Sequence, residues 1–166
     1  KVFLPVIFSV IVGHFLWLLL LYVLASLYSK KNGWQVLRHY APAYFTALGT
    51  MSSAATLGVA LQCAHKSSVL DKEVADFGVP LFANIHLCGS VLTETFFICV
   101  VSQLLYGHLP EFSTLVLFIL LLGVFAVGAP GVPGGTVLAS LGIVVSVLGF
   151  DDAGTALLIA IFALQD

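Results

Sequence analysis

Gly128-Ala129-Pro130-Gly131-Val132-Pro133-Gly134-Gly135 interrupts an apolar stretch running from Phe112 to Phe150, and how it is read decides how the chain is built. Pro130 and Pro133 lack a backbone N–H, and the glycines around them open dihedral space that other residues avoid. No continuous helix passes through such a segment. Each flanking arm holds about 16 residues, short of the roughly 20 that a helix needs to cross the hydrocarbon core of a bilayer. The arms are therefore expected to fold back on one another at mid-depth, as a re-entrant hairpin.

The same design occurs earlier. Trp34 to Ala64 is apolar and is broken by Gly49-Thr50-Met51-Ser52-Ser53-Ala54-Ala55-Thr56, which leaves arms too short to span alone. Val2 to Tyr28 is a full span of 27 residues without a formal charge, closed by Lys30-Lys31-Asn32-Gly33. It is too long for a secretory signal and lacks a cleavage pattern. Residues 74–106 form one long apolar element with the polar cluster Asn84-Ile85-His86-Leu87-Cys88-Gly89-Ser90 near its centre. Composition requires a membrane throughout: 60% of residues are hydrophobic, 8% are charged and the mean hydropathy is +1.12. Six basic and eight acidic side chains cannot cover a water-facing surface of this size. A soluble enzyme, a secreted disulfide scaffold and a disordered tail are excluded. The net charge of -2 gives no footprint for nucleic acid. Cys63, Cys88 and Cys99 are odd in number, lie in apolar surroundings and show no paired metal spacing, and are expected to be free thiols. Lys1 in place of Met, and a hydrophobic run still open at Asp166, suggest a piece of a longer polytopic protein.

Charge sets the expected orientation. Lys30, Lys31 and Arg38 precede the first hairpin and Lys66 and Lys72 follow it, so both its ends should face the cytoplasm. Residues 107–166 contain no Lys or Arg, and their loops carry Glu111, Asp151 and Asp152, so the second hairpin should enter from outside. The predicted architecture is an all-α polytopic membrane protein, a single partial domain over 1–166. It comprises a transmembrane helix (1–28), a re-entrant hairpin (34–66), a broken transmembrane helix (74–106), an oppositely oriented re-entrant hairpin (110–150) and the start of a final span (153–166). Irregular backbone survives at depth only around a cavity, and paired broken segments point to a midplane binding site in a secondary transporter. The alternative is a bundle of ordinary helices with Gly and Ser at packing faces.

Three motifs resemble the dicarboxylate/amino acid:cation symporters, the glutamate-transporter-like family. Ser52-Ser53-Ala54-Ala55-Thr56-Leu57 is similar to the family's serine-rich first hairpin tip. His86-Leu87-Cys88-Gly89-Ser90-Val91-Leu92-Thr93-Glu94 falls where the family has Asn-Met-Asp-Gly-Thr-Ala-Leu-Tyr-Glu, and Gly131-Val132-Pro133-Gly134 matches its second tip. The motifs occur in order and cover nearly the whole chain. The resemblance implies part of an elevator-type transport domain, multi-pass in the plasma membrane, and a homotrimer in the full-length protein. It implies cation-coupled symport of an amino acid or dicarboxylate, with Ser52, Ser53, Ser90, Gly131, Val132, Pro133 and Asp166 meeting the substrate. His86, Leu87, Cys88 and Glu94 would serve coupling, by H+ or Na+, with no cofactor or resident metal. The sequence also departs from the family. His86 and Cys88 replace an Asn and an Asp that supply oxygen to sodium, a hard cation poorly served by imidazole and thiol. Ala54 stands for the third Ser of the first tip and Gly58 for its Pro.

The residues themselves are consistent with these roles. Ser52 and Ser53 can cap the second arm of the first hairpin and leave N–H groups facing a carboxylate, or bond back within a helical turn. An acidic side chain such as Glu94 in an apolar span is costly and is by default a functional hypothesis, as a proton carrier with which His86 competes, or else a neutral Glu bonded to a neighbouring helix. Two other readings remain: an uncoupled gated channel, and a membrane enzyme with His86 and Cys88 as base and nucleophile. Against the enzyme, residues two apart on a helix point about 200° away from each other. No phosphate-binding motif is present for an ATP-driven pump. The charge asymmetry predicts that cysteines introduced by Gly33→Cys and Asp71→Cys label from the cytoplasm, and those from Glu111→Cys and Asp152→Cys from outside. Opposite accessibility of Gly33 and Asp71 would remove the first hairpin.

Overall fold

The computed structural model describes residues 3–163, and among them every regular element is an α-helix: α1 (Phe3–Ser29), α2 (Gly33–Thr50), α3 (Ser53–Lys66), α4 (Lys72–Ile85), α5 (Cys88–Leu105), α6 (Phe112–Ala126), α7 (Gly135–Leu148) and α8 (Asp152–Phe162). Asp166, one of the candidate substrate residues, lies outside the described residues. Two stretches are long and apolar enough to cross a bilayer, Leu4–Ser29 and the broken pair over Lys72–Leu105; α6, α7 and α8 are apolar but shorter. α1 is apolar all round, and Leu4, Phe8, Phe15, Leu16 and Leu27 are all exposed, the pattern of a helix solvated by lipid. The described residues divide into two compact units, 11–84 and 85–163 together with 3–10.

In the unit of residues 11–84, local capping explains where each helix begins. Asn32 Oδ1 accepts from the Trp34 and Gln35 amides at 3.0 and 3.4 Å, which starts α2 directly after the basic pair and its Asn32 cap. Just before it, Ser26 Oγ accepts from Gly33 N at 3.1 Å and donates to the Tyr22 carbonyl at 2.7 Å, joining the end of α1 to the start of α2. Tyr22 and Tyr44 share a hydroxyl bond at 3.0 Å. α2 and α3 pack on each other as a helical hairpin through small side chains, with Ala43, Ala60 and Cys63 buried under Tyr40, Val59 and Val79. Small residues allow this close approach, which matters where lipid provides no hydrophobic drive for association. Asp71 Oδ1 accepts from Val74 N at 3.2 Å to open α4, and His65 on α3 is paired with Asp76 on α4 at 2.6 Å.

The unit built on α5 to α8 has the larger apolar core. Phe97, Ile98 and Val101 of α5 meet Phe118 and Leu122 of α6, Val144 of α7, and Leu158 and Phe162 of α8, with Val10 of α1 added at one side. Phe97 and Phe162 stack edge to face, 6.3 Å between centroids. α6 and α7 lie along one another, and α8 returns over both α5 and α7. The turn into α8 is closely specified. Gly149 takes φ 70°, and its N–H and that of Phe150 return to the last carbonyls of α7 in a Schellman-like cap. Asp151 Oδ1 then accepts from Gly154 N and from the Tyr106 hydroxyl, both at 2.8 Å, while the Tyr106 ring rests on Phe150. The Gly154 amide first, and the Tyr106 hydroxyl second, hold the Asp151 carboxyl below its usual range.

Burial separates neighbours on one helix. Leu122 is fully buried in this core, whereas Leu120 is 66% exposed. Leu122→Ala is therefore expected to lower the unfolding free energy of the full-length protein in detergent by about 2–5 kcal/mol, and Leu120→Ala by within about 0.5 kcal/mol. Equal losses would contradict this placement of α6.

Candidate functional site

The described candidate residues fall at or beside three interruptions of helix and at one buried carboxyl. At the first interruption only Met51 and Ser52 leave the helix, a narrower break than the eight residues of Gly49 to Thr56 suggest. Met51 adopts φ 49° and returns its N–H to the Ala47 carbonyl at 2.8 Å, ending α2. Ser52 is extended, and its Oγ accepts from Ala55 N at 3.2 Å, so the expected cap on the second arm comes from Ser52. Ser53 is the first helical residue and is exposed. Thr56 donates back to the Ser52 carbonyl at 2.8 Å, and its hydroxyl lies 3.3 Å from that of Thr50. These bonds brace the tip and leave the first amides of α3 at the positive end of its dipole.

The third interruption, 127–134, is a chain of tight turns. Gly128 N bonds the Phe125 carbonyl, Ala129 N that of Ala126, Val132 N that of Pro130 and Gly135 N that of Val132, all at 2.8–3.0 Å. The two prolines remove donors where the chain would otherwise continue as helix. Gly134 takes φ 71°, and Gly135 passes so close to the Pro130 carbonyl that a Cβ there would overlap it. Gly131 is half-buried, whereas Val132 and Pro133 are exposed at the turn.

Between them, α4 stops at Ile85 and α5 starts at Cys88, with His86 and Leu87 out of helix. Pro80 lies inside α4, and the Asn84 amide nitrogen donates to the Pro80 carbonyl at 2.9 Å. The break brings the two departures from the family pattern together: Cys88 Sγ lies 3.3 Å from His86 Nε2. A continuous helix would have separated them. His86 is exposed, and Leu87, Cys88 and Ser90 are half-buried.

Glu94, two turns further on, is fully buried in the core of its unit. Its Oε1 is bonded to Ser140 Oγ on α7, and Oε2 has no hydrogen-bond partner among the described residues. Ser140 Oγ also lies 3.0 Å from the Val137 carbonyl. The broken helix and the second arm of the second hairpin are thus joined by a buried polar contact. Sequence reasoning singled out Glu94 but missed Ser140, whose only signal was a hydroxyl in a largely apolar arm that also carries Thr136 and Ser146. Cys63, Cys88 and Cys99 are free thiols. A cavity of about 330 Å³ lies elsewhere, lined by Tyr22, Ser26, Asn32 and Trp34 among others and by none of the candidate residues.

The whole chain, residues 1–166, matches the sodium:dicarboxylate symporter family. It is 30% identical over 154 residues to excitatory amino acid transporter 1 of Homo sapiens, covering 92% of this chain and 28% of that protein. An excitatory amino acid transporter of Caenorhabditis elegans is 30% identical over 138 residues, 83% of this chain and 27% of the relative. Neutral amino acid transporter B(0) of Rattus norvegicus is 28% identical over 149 residues, 90% of this chain and 26% of the relative. The chain therefore spans little more than a quarter of the length of these relatives.

The close approach at the second tip is open to test. Gly135→Ala is expected to displace Pro130 and lower the stability of the full-length protein by roughly 1–3 kcal/mol. Gly142→Ala, where an added Cβ meets nothing within 4 Å, should hold or gain stability by up to about 1 kcal/mol. Denaturant unfolding in detergent micelles distinguishes them; a neutral Gly135→Ala would contradict the turn geometry.

Proposed function

The chain belongs to the sodium:dicarboxylate symporter family, and from that premise we propose that the full-length protein is a cation-coupled symporter of an amino acid or dicarboxylate. The family and the relatives are transporters, not enzymes, and the protein is a membrane protein. In this reading the protein works in the plasma membrane as a homotrimer, with this chain as part of an elevator-type transport domain. Ser52, Ser53 and Ser90, the Gly131-Val132-Pro133 backbone and Asp166 contact the substrate. The capped start of α3 attracts a carboxylate through free amides and the helix dipole, and Asp166 pairs with a substrate amine.

Coupling is assigned to His86, Leu87, Cys88 and Glu94, with the proton as coupling ion. The observation that carries this is the Glu94–Ser140 contact. The Ser140 hydroxyl has one hydrogen and two acceptors in reach, the Val137 carbonyl and the Glu94 carboxyl. With Glu94 protonated, both bonds form: Glu94 donates to Ser140, and Ser140 donates to Val137. With Glu94 ionised, the hydroxyl serves one acceptor and a buried carboxylate is left short of donors, which is costly away from water. Loading and unloading a proton at Glu94 therefore changes how the broken helix and the second hairpin hold each other. His86 and Cys88 support the same reading, since they withdraw two oxygen donors from the family's sodium position.

Uptake of a labelled amino acid or dicarboxylate into proteoliposomes containing the full-length protein tests this. Accumulation is expected under an inward proton gradient and should persist when choline replaces sodium. Glu94→Gln or His86→Asn should abolish its pH dependence. A strict sodium requirement with no response to pH would overturn the proton assignment, and equilibration without accumulation would overturn coupled transport in favour of a channel.

A further inference from the structure

His86 and Cys88 stand two residues apart where helical bonding lapses between α4 and α5, and only that lapse lets their side chains converge. Both are metal-ligating groups. Their donor atoms, His86 Nε2 and Cys88 Sγ, are 3.3 Å apart. A tetrahedral zinc ion with bonds of about 2.3 Å to sulfur and 2.0–2.1 Å to nitrogen holds those two atoms about 3.5 Å apart. The pair thus has nearly the spacing of a metal chelate and needs an adjustment of about 0.2 Å. His86 is exposed and Cys88 half-exposed, so an ion has a route in.

We propose that His86 and Cys88 form a two-donor binding site for a borderline-soft divalent metal ion, zinc above all, in the break between α4 and α5. The donor set selects against the hard cations. Thiolate and imidazole favour zinc and the softer transition metals, while sodium, magnesium and calcium require oxygen. Among the described residues no cluster of three His, Cys, Asp or Glu side chains exists, so the remaining coordination positions go to water or to a bound solute. That makes the site open and exchangeable rather than a closed structural site. On binding, Cys88 releases its thiol proton to water and the imidazole keeps its proton on Nδ1, so one proton leaves per metal ion bound. A chelated ion fixes the His86–Leu87 stretch that stands outside α4 and α5. If the symport reading holds, the ion inhibits uptake; the binding itself does not rest on that reading.

The test uses the full-length protein in detergent, with cobalt(II) alone as the probe. A thiolate-to-cobalt charge-transfer band in the near ultraviolet should appear and saturate. It should vanish in Cys88→Ser and persist in Cys63→Ser and Cys99→Ser. His86→Ala should weaken cobalt binding by more than the about 10- to 100-fold that follows loss of a mere supporting partner of a ligand. Absence of the band, or its survival in Cys88→Ser, would overturn the site. Should these variants not fold, the wild-type protein still decides. Zinc should slow maleimide alkylation of Cys88, read by peptide mass, and a chelator should restore the rate; an unchanged rate overturns the proposal. Neither measurement involves uptake, so failure here is distinct from failure of the symport reading.

Discussion

Where an apolar helix stops away from water, the chain must satisfy its own backbone hydrogen bonds. The rest of this structure depends on how three such stops are managed. At Met51-Ser52 a left-handed residue returns one amide to the preceding helix and a serine hydroxyl takes up an amide of the next. At 127–134 successive short turns absorb the amides, and two prolines reduce the number needing partners. Helices this apolar could have been continuous. The residues at their interruptions are those that make interruption tolerable, and these are also the residues with chemistry to offer.

Packing within the unit of α5 to α8 surrounds one carboxyl. Phe97, Ile98 and Val101 bury the middle of α5, and α6, α7 and α8 close around it. Glu94 lies on that same helix with one oxygen bonded to Ser140 and the other without a partner among the described residues. A group of this kind inside an apolar core costs stability, and its proton inventory becomes part of how α5 and α7 hold together. The Tyr106–Asp151–Gly154 cluster, by contrast, is an exposed polar joint that starts α8 and ties it to the end of α5. The same residue types thus do different work according to what surrounds them.

Much of the helical organisation was legible. Uninterrupted apolar length marked α1, and glycine, proline and serine clusters marked where helices stop, because those residues act locally on backbone dihedrals and donors. The extent of each stop was less legible. Gly49 and Thr50 remain in α2, and Ser53 to Thr56 already belong to α3, since glycine and serine are tolerated in a helix when its packing is favourable. Asp151 read as a loop charge marking the outer side, yet in the structure it caps α8 and accepts from a tyrosine 45 positions earlier. No local pattern encodes that partner.

By itself the sequence determined the solvent, the secondary-structure class, the approximate sites of interruption and the family, because hydropathy, donor loss at proline and motif order are properties of residues taken in sequence. Tertiary structure alone decided which side chains meet. That Ser140 lies against Glu94, 46 positions away, follows from α7 packing beside α5. That His86 reaches Cys88 follows from His86 and Leu87 standing outside the helices. Both depend on where backbones run in space, and spacing along the chain carries no record of it.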